Sequence, residues 1–407
     1  MIILKRTLTA LLSAALLLCA ACPVFAARTV SSECDLSDID EPIVATDAAP
    51  AAGAALDIKA RSAILLEPTT MQILYEVNGD EQLPPASITK IMTLVLIMEA
   101  IDRGDFTTED VITASDHAAS MGGSQIWLEP GESMTVDDLL KAAVIASAND
   151  ATVALAEKVA GSEEGFVALM NEKAQALGMQ NTVFKNATGL DAAGHVSSAH
   201  DVALMSAQLL KHPLIKNYST VWMDTLRGGE SELVNTNKLV RFYEGTTGLK
   251  TGTTSGAGYC LAASAERNGL SLVAVIMGGD TSAARFEGAK KLLDYGFANY
   301  CFKNVEPDIG ENLRIKVNGG VMQSAALEAA GSFGLLTEKS NKSDITQLTV
   351  LPESVSAPVN KGDKIGEIQV FSGETQVGVI DITAAEPVDK LSFGRALLWL
   401  LGGLFRS

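Results

Sequence analysis

Three short groups of residues carry side chains able to run acyl-transfer chemistry: Ser87-Ile88-Thr89-Lys90, Ser147-Ala148-Asn149 and Lys250-Thr251-Gly252. A serine hydroxyl is a weak nucleophile near neutral pH and needs a base within hydrogen-bond reach. Lys90, three positions after Ser87, stacks beside it on one face of a helix. The residues from Ile91 to Ile101 carry Glu99 as their only charge, so that helix is a buried one. Burial disfavours an ammonium and lowers the lysine pKa, which makes a neutral, proton-accepting amine available. Ser87 at the helix N-terminus also sits where developing negative charge is favoured.

The other two groups complete the chemistry. Ser and Asn are ordinary cap and turn residues. Beside a Ser87–Lys90 pair, however, Ser147 suits a proton relay to a leaving amine and Asn149 suits a hold on a substrate amide. Lys250 and Thr251 offer donors to a terminal carboxylate, and Gly252 lets a strand edge approach a ligand with no Cβ in the way. The backbone N–H groups of Ser87 and Thr253 are the candidate oxyanion donors. The four histidines, His117, His195, His200 and His212, form no Ser-His-Asp arrangement. His195 and His200, with Asp191 and Asp201 nearby, match no zinc spacing, so neither a metal nor a cofactor is expected.

These groups need a scaffold. Arg61–Glu67 and Met71–Val77 read as two strands around the turn Pro68-Thr69-Thr70, hence a hairpin. The apolar helix from Ser87 to about Ile101 follows Pro84-Pro85. From Phe106 to about Leu239 the pattern is helical and loop-rich, and two helices flank Ser147. Strand character returns at Gly248–Thr253, Gly258–Ala265 and Leu270–Met277, then a helix from about Ala283 to Phe297. Strands at both ends with helices between them predict an α/β (strictly α+β) domain over 57–302: an antiparallel sheet flanked by helices, with a helical lobe. Leu313–Val317, Thr346–Val350, Glu367–Phe371 and Gln376–Ile380 alternate as short strands, with Ser372-Gly373 at a hairpin turn. They predict a small all-β domain over 303–390, large enough to fold alone.

The ends and the charge bound the setting. Lys5, Arg6, an apolar run from Leu8 to Ala21 and Val24-Phe25-Ala26 read as a signal peptide over 1–26, too short in its apolar run to span a bilayer. Ala, Asp, Ser and Pro dominate a flexible lead-in over 27–56. The net charge is −18 over 407 residues, and loss of a leader bearing two bases and no acid makes it more negative. Such a chain does not bind nucleic acid through phosphates. Cys34, Cys260 and Cys301 would remain after cleavage, no disulfide framework. The stretch 391–407 forms an apolar helix with Arg395 and Arg406 on one stripe, built to lie in a membrane interface.

With those residues in hand, the chain resembles the low-molecular-mass penicillin-binding proteins, serine-type D-alanyl-D-alanine carboxypeptidases, along nearly its whole length. Pro85-Ala86-Ser87-Ile88-Thr89-Lys90-Ile91-Met92-Thr93, Ala146-Ser147-Ala148-Asn149-Asp150-Ala151 and Gly248-Leu249-Lys250-Thr251-Gly252 carry the likeness, and the motif set S-x-x-K, S-x-N, K-T-G is that of serine enzymes acylated by β-lactams. The resemblance implies a β-lactamase/transpeptidase-like fold with the site between sheet and helical lobe. It implies Ser87 as acylated nucleophile, Lys90 as base, Ser147 as relay, Asn149 as amide ligand, and Lys250 with Thr251 as carboxylate site. Arg285 falls where the family has a supporting arginine. Thr253 departs from members with histidine there, a change of tuning rather than of reaction. The implied partners are stem peptides ending in D-Ala-D-Ala, β-lactams, and a membrane surface met through the C-terminal helix.

Three other readings share some of these residues. A class A β-lactamase needs a glutamate-activated water, normally in a Glu-x-x-x-Asn segment, and none lies between Asn149 and Lys250. A D,D-endopeptidase on cross-links would use the same residues in a wider groove. A non-catalytic wall-binding protein would have no use for an intact Ser87, Lys90 and Ser147.

Overall fold

A computed structural model describes residues 28–30, 56–310 and 312–395. The expected signal segment, Cys34, most of the lead-in and the expected C-terminal helix from residue 396 on lie outside the described residues. The chain divides into two compact units, Asp47–Phe302 and Lys303–Ser407 with Met1–Thr46.

The first unit opens with strands β1 (Ala60–Glu67) and β2 (Gln72–Val77). The turn between them closes on the Glu67 carboxylate, which accepts from Thr69 N at 3.0 Å and Thr70 N at 2.6 Å. One 3-10 turn, Ala86–Thr89, then leads into helix α1 (Lys90–Asp102). Helices α2 (Val136–Ile145), α3 (Asn149–Ala160), α4 (Glu163–Ala176) and α5 (Ala199–Leu210) follow. Side-chain oxygens of Thr135, Ser162 and Ser198 cap α2, α4 and α5, each accepting from a backbone N–H of the first turn. Strands β3 (Thr246–Thr254), β4 (Gly258–Arg267) and β5 (Leu270–Gly279) then precede helix α6 (Ser282–Asn299).

The five strands form one sheet in the order β2-β1-β5-β4-β3, with every pairing antiparallel and β3 at an edge. Alternation assigns the two faces. Leu65, Leu272 and Ile276 approach Gly296 and Gly288 of α6. Their neighbours Ile64, Leu66, Val273 and Val275 join the main core on the other face, with Ile88, Ile91 and Val95 of the first helical segment. Helix α1 is buried from Lys90 through Met98, in the middle of the lobe. Truncating one of its fully buried aliphatics, such as Ile91, costs about 2–5 kcal/mol. Two small hairpins, Val111–Thr113 with Ser133–Thr135 and Met223–Leu226 with Ser231–Val234, decorate the lobe where the sequence suggests only helix and loop.

The second unit is a seven-stranded sheet. All four expected strands are present, as Arg314–Asn318, Ile345–Val350, Lys364–Ser372 and Thr375–Ala384, with Gly373 at φ +60° in the expected turn. Ser324–Ala329 and Ser354–Ser356 are further strands of this sheet, and Phe333–Glu338 belongs to a separate two-stranded one. Within the lead-in, Arg28–Val30 pairs antiparallel with Ile345–Gln347.

Candidate active site

Ser87 lies in the 3-10 turn and Lys90 starts α1, so one helical turn stacks their side chains. Lys90 Nζ stands 3.1 Å from Ser87 Oγ, 2.6 Å from Asn149 Oδ1 and 2.8 Å from the Thr188 carbonyl oxygen. The Asn149 amide is oriented by its other end, where Nδ2 donates to Gly122 O at 2.7 Å. Asn149 Oδ1 and the Thr188 carbonyl can only accept. A neutral amine has two N–H groups and one lone pair, so these two acceptors take both hydrogens and turn the lone pair toward Ser87. Burial holds the Lys90 pKa well below its usual value, and the nearby charge of Lys250 adds to this. Asp150 opposes them only in part.

Ser147 lies in the tight connection between α2 and α3, at φ +64°. A β-carbon in that left-handed region carries strain, which clusters at functional sites. Its hydroxyl is buried and has no partner among the described residues. Asn149, the first residue of α3, holds Lys90 as well as facing the site, a contact the spacing alone does not reveal.

Edge strand β3 supplies the opposite wall. A Cβ on Gly252 would stand 2.9 Å from Ser87 N and 3.0 Å from the Pro85 carbonyl oxygen, so this position packs directly on the Ser87 turn. Lys250 is buried and its Nζ has no hydrogen-bond partner among the described residues. Burial, and then the Arg285 charge, lower its pKa to about 7. Thr251 Oγ1 donates to Thr236 Oγ1 at 2.7 Å. Arg285 Nη1 donates to Gly252 O, Thr253 Oγ1 and Cys260 O at 3.1, 3.0 and 3.2 Å, stitching β3 to β4 from α6. Cys260 is buried, with its thiol pKa raised by burial.

The expected residues Ser87, Lys90, Ser147, Asn149, Lys250, Thr251, Gly252, Thr253 and Arg285 therefore fall on the loop, helix and strand segments that meet around Ser87. Several contributors were not anticipated. Thr188 and Gly189 belong to a loop wound on Asn186 Oδ1, which accepts from Thr188 N and Gly189 N at 3.2 and 2.7 Å. Gly189, at φ +88°, packs so closely that a Cβ would stand 1.8 Å from the Ala86 carbonyl oxygen. Asn followed three residues later by Gly is the turn signal that could have pointed there. Asp150 is buried and accepts from Ile126 N and Leu128 N, fixing the loop that carries Gly122. His195 is no ligand: Nδ1 accepts from Lys185 N at 3.1 Å, Nε2 meets Thr89 Oγ1 at 2.8 Å, and burial drops its pKa to about 4.

A serine facing a desolvated lysine, on a helical lobe packed against a five-stranded antiparallel sheet, defines a serine hydrolase of the penicillin-binding, transpeptidase-like class. The family model described as D-alanyl-D-alanine carboxypeptidase matches residues 46–281, and that of the penicillin-binding protein 5 C-terminal domain matches residues 310–390. The chain belongs to the D-alanyl-D-alanine carboxypeptidase family and is a serine D-Ala-D-Ala carboxypeptidase. It is similar to the carboxypeptidase DacF of Bacillus subtilis, at 42% identity over 342 residues, covering 82% of this chain and 87% of that one. Penicillin binding protein 5 from Haemophilus influenzae superposes with a TM-score of 0.71 at 30% identity, over 83% of this chain and 100% of that one. Penicillin-binding protein D2 from Listeria monocytogenes, solved in its ampicillin-bound form, superposes with a TM-score of 0.55 at 32% identity, over 60% of this chain and 100% of that one.

Proposed function

We propose that the protein removes the terminal D-Ala from pentapeptide stems of peptidoglycan through an acyl-enzyme on Ser87. The observation that carries this reading is the three-partner clamp on Lys90 Nζ, which leaves its lone pair for the Ser87 hydroxyl. Lys90 takes the Ser87 proton as Oγ attacks the carbonyl carbon of the penultimate D-Ala. The oxyanion forms against the backbone N–H groups of Ser87 and Thr253, each such donor being worth about 2.7–4 kcal/mol. Ser147 passes the proton to the departing amine, and free D-Ala leaves. Water then attacks the acyl carbon, with the same lysine accepting its proton, and Ser87 is restored.

Lys250 and Thr251 hold the substrate's C-terminal carboxylate, which supplies the partner that buried Lys250 lacks among the described residues. Arg285 keeps β3 in position and adds positive charge. Penicillin carries a carboxylate and a reactive amide carbonyl, and by the same route acylates Ser87. The assay is release of D-alanine from a peptide ending in D-Ala-D-Ala, with fluorescent penicillin labelling of the same sample. Ser87→Ala is expected to abolish both, a loss on the order of 10⁴-fold or more. Labelling that survives this substitution overturns the assignment.

An exported enzyme at the outer face of the cytoplasmic membrane fits the signal-like segment over 1–26 and the apolar stretch 391–407. Among the described residues no helix is long and apolar enough to cross a membrane, and the proposed attachment is interfacial. Deleting 391–407 is expected to move the protein from the membrane pellet to the supernatant, as read by sedimentation.

A further inference from the structure

Each of the two acceptors on Lys90 Nζ is set by a loop, and the two loops lie far apart in sequence. Thr188 O belongs to residues 186–189. The Asn149 amide is turned by Gly122 O, in the loop that follows the short helix Asp116–Ala119. A single carboxylate joins the two. Glu163 Oε1 accepts from Ala187 N at 2.9 Å, and Glu163 Oε2 accepts from His117 Nε2 at 2.7 Å. No step of the mechanism above uses this side chain.

Residues 186–189 depend on ties from outside. Asn186 Oδ1 takes the N–H groups of Thr188 and Gly189, but Asn186 belongs to the loop and moves with it. Among the described residues Ala187 is anchored from two helices: its carbonyl accepts from Thr93 Oγ1 of α1 at 2.7 Å, and its N–H donates to Glu163 of α4. That residue directly precedes the carbonyl that meets Lys90. Ala187 is fully buried, so its N–H needs an acceptor. Glu163 is suited to the task. It opens α4, where the free N–H groups of the first turn favour a carboxylate. Its side chain is 15% exposed, so water competes little for the two bonds. A carboxylate accepts at both oxygens, which lets one side chain serve partners 24 and 46 positions away. A cavity of about 510 Å³ is lined by both His117 and Glu163, so removing the carboxylate gives water a place beside the loop.

We propose that Glu163 is a positioning residue for the acylation step, a bridge that holds both acceptors of the Lys90 amine in place and so keeps its lone pair on Ser87. It acts through Ala187 on Thr188 O, and through His117 on the loop that orients Asn149. The role rests on the carboxypeptidase reading, with Lys90 as base, and adds a residue that touches neither substrate nor Lys90.

The test follows acylation of the full chain by fluorescent penicillin, with the limiting rate separated from the concentration that gives half of it. Glu163→Ala is expected to lower the limiting rate by about ten- to a hundredfold, the scale of a displacement of about 1 Å in catalytic geometry. The half-saturating concentration should hold, because Lys250 and Thr251 are untouched. Glu163→Gln keeps an oxygen for Ala187 N and is expected to recover most of the rate. His117→Ala cuts the other arm and should cost less than Glu163→Ala. Glu164→Ala, at an exposed neighbour, removes the same charge from the same helical turn and should leave the rate unchanged. A limiting rate in Glu163→Ala equal to wild type overturns the bridge. So does an equal loss in Glu164→Ala, which traces the effect to helix charge, or a Glu163→Gln variant no faster than Glu163→Ala. An unchanged rate in His117→Ala overturns it too, and decides the matter if Glu163→Ala does not fold. Wild-type protein that takes up no penicillin, or takes it up at a residue other than Ser87, refutes the carboxypeptidase reading itself, and the bridge with it.

Discussion

Lys90 at the head of α1 and Lys250 on edge strand β3 are both buried lysines with lowered pKa values, yet they are satisfied in opposite ways. Lys90 touches Ser87 Oγ, Asn149 Oδ1 and Thr188 O, whereas Lys250 Nζ touches no hydrogen-bond partner among the described residues. The helical-lobe lysine is complete without substrate. The sheet-edge lysine is incomplete until an anion arrives. One arrangement tunes a base, the other reserves a seat for a carboxylate. The difference also divides the stability consequences, because a buried cation left unpaired is a burden in the free protein.

The largest effect expected from breaking this comparison is at Lys90. Lys90→Arg keeps a long basic side chain but installs a group that does not deprotonate in proteins. Acylation by penicillin is expected to fall by about 10²–10⁴-fold, the usual range for a lost general base. Near-normal labelling kinetics in this variant would sink the neutral-lysine mechanism.

At Lys250 the expected effect on rate is smaller, and a gain in stability accompanies it. Lys250→Met should raise KM for D-Ala-D-Ala peptides well above its effect on kcat, since it removes the carboxylate's counter-ion. It should also alter the pH profile of kcat/KM, which reports groups of the free enzyme. In the wild type the rate climbs as Lys90 loses its proton and falls as Lys250 loses its own at about pH 7. The variant loses the falling limb. Its rising limb moves to higher pH, because the Lys250 charge is one of the causes lowering the Lys90 pKa.

The same substitution should stabilise the fold by about 1–3 kcal/mol, the penalty of an unsatisfied buried polar group. The sign follows from linkage. Folding depresses the Lys250 pKa from 10.5 to about 7, so the unfolded chain binds more protons between those values and wild-type stability rises with pH there. The gain on substitution is therefore full below about pH 7 and shrinks toward pH 10.5. Thermal melting at pH 6 and pH 9 reads it, and a variant less stable than wild type at pH 6 contradicts the picture.

The sequence exposed the two lysines unequally as well. Ser87 with Lys90 is a local pattern, legible because one helical turn stacks residues three apart. The clamp on Lys90 is not local: Thr188 is 98 positions away and acts through a backbone carbonyl that any residue type could supply. Asn149 was legible as a site residue, but its hold on Lys90 depends on how Gly122 turns the amide. Strands β4 and β5 were readable as apolar runs because both sheet faces are covered. In the second unit, Ser324-Ala-Ala-Leu-Glu-Ala329 has a helix former's composition and was missed as a strand. Its pairing, Leu327 with Ala384 and Ala329 with Ile382, overrides that local preference.

The smallest effect concerns how firmly the seat at β3 is held before it is filled. Thr251 Oγ1 spends its hydrogen on Thr236 Oγ1, so in the free protein this donor is parked rather than absent. A carboxylate arriving beside Lys250 offers a charged acceptor in place of a neutral hydroxyl, and charge-assisted hydrogen bonds are about twice as strong. Thr236→Val removes the parking place while keeping the β-branched shape. The net worth of such a bond is about 0.5–1.5 kcal/mol, so a shift in KM of less than about tenfold is expected, with kcat held. The direction is informative: KM should fall if the Thr236 contact competes with substrate and rise if it holds Thr251 in position. An unchanged KM would mean that Thr251 does not reach the carboxylate, leaving Lys250 to hold it without that hydroxyl.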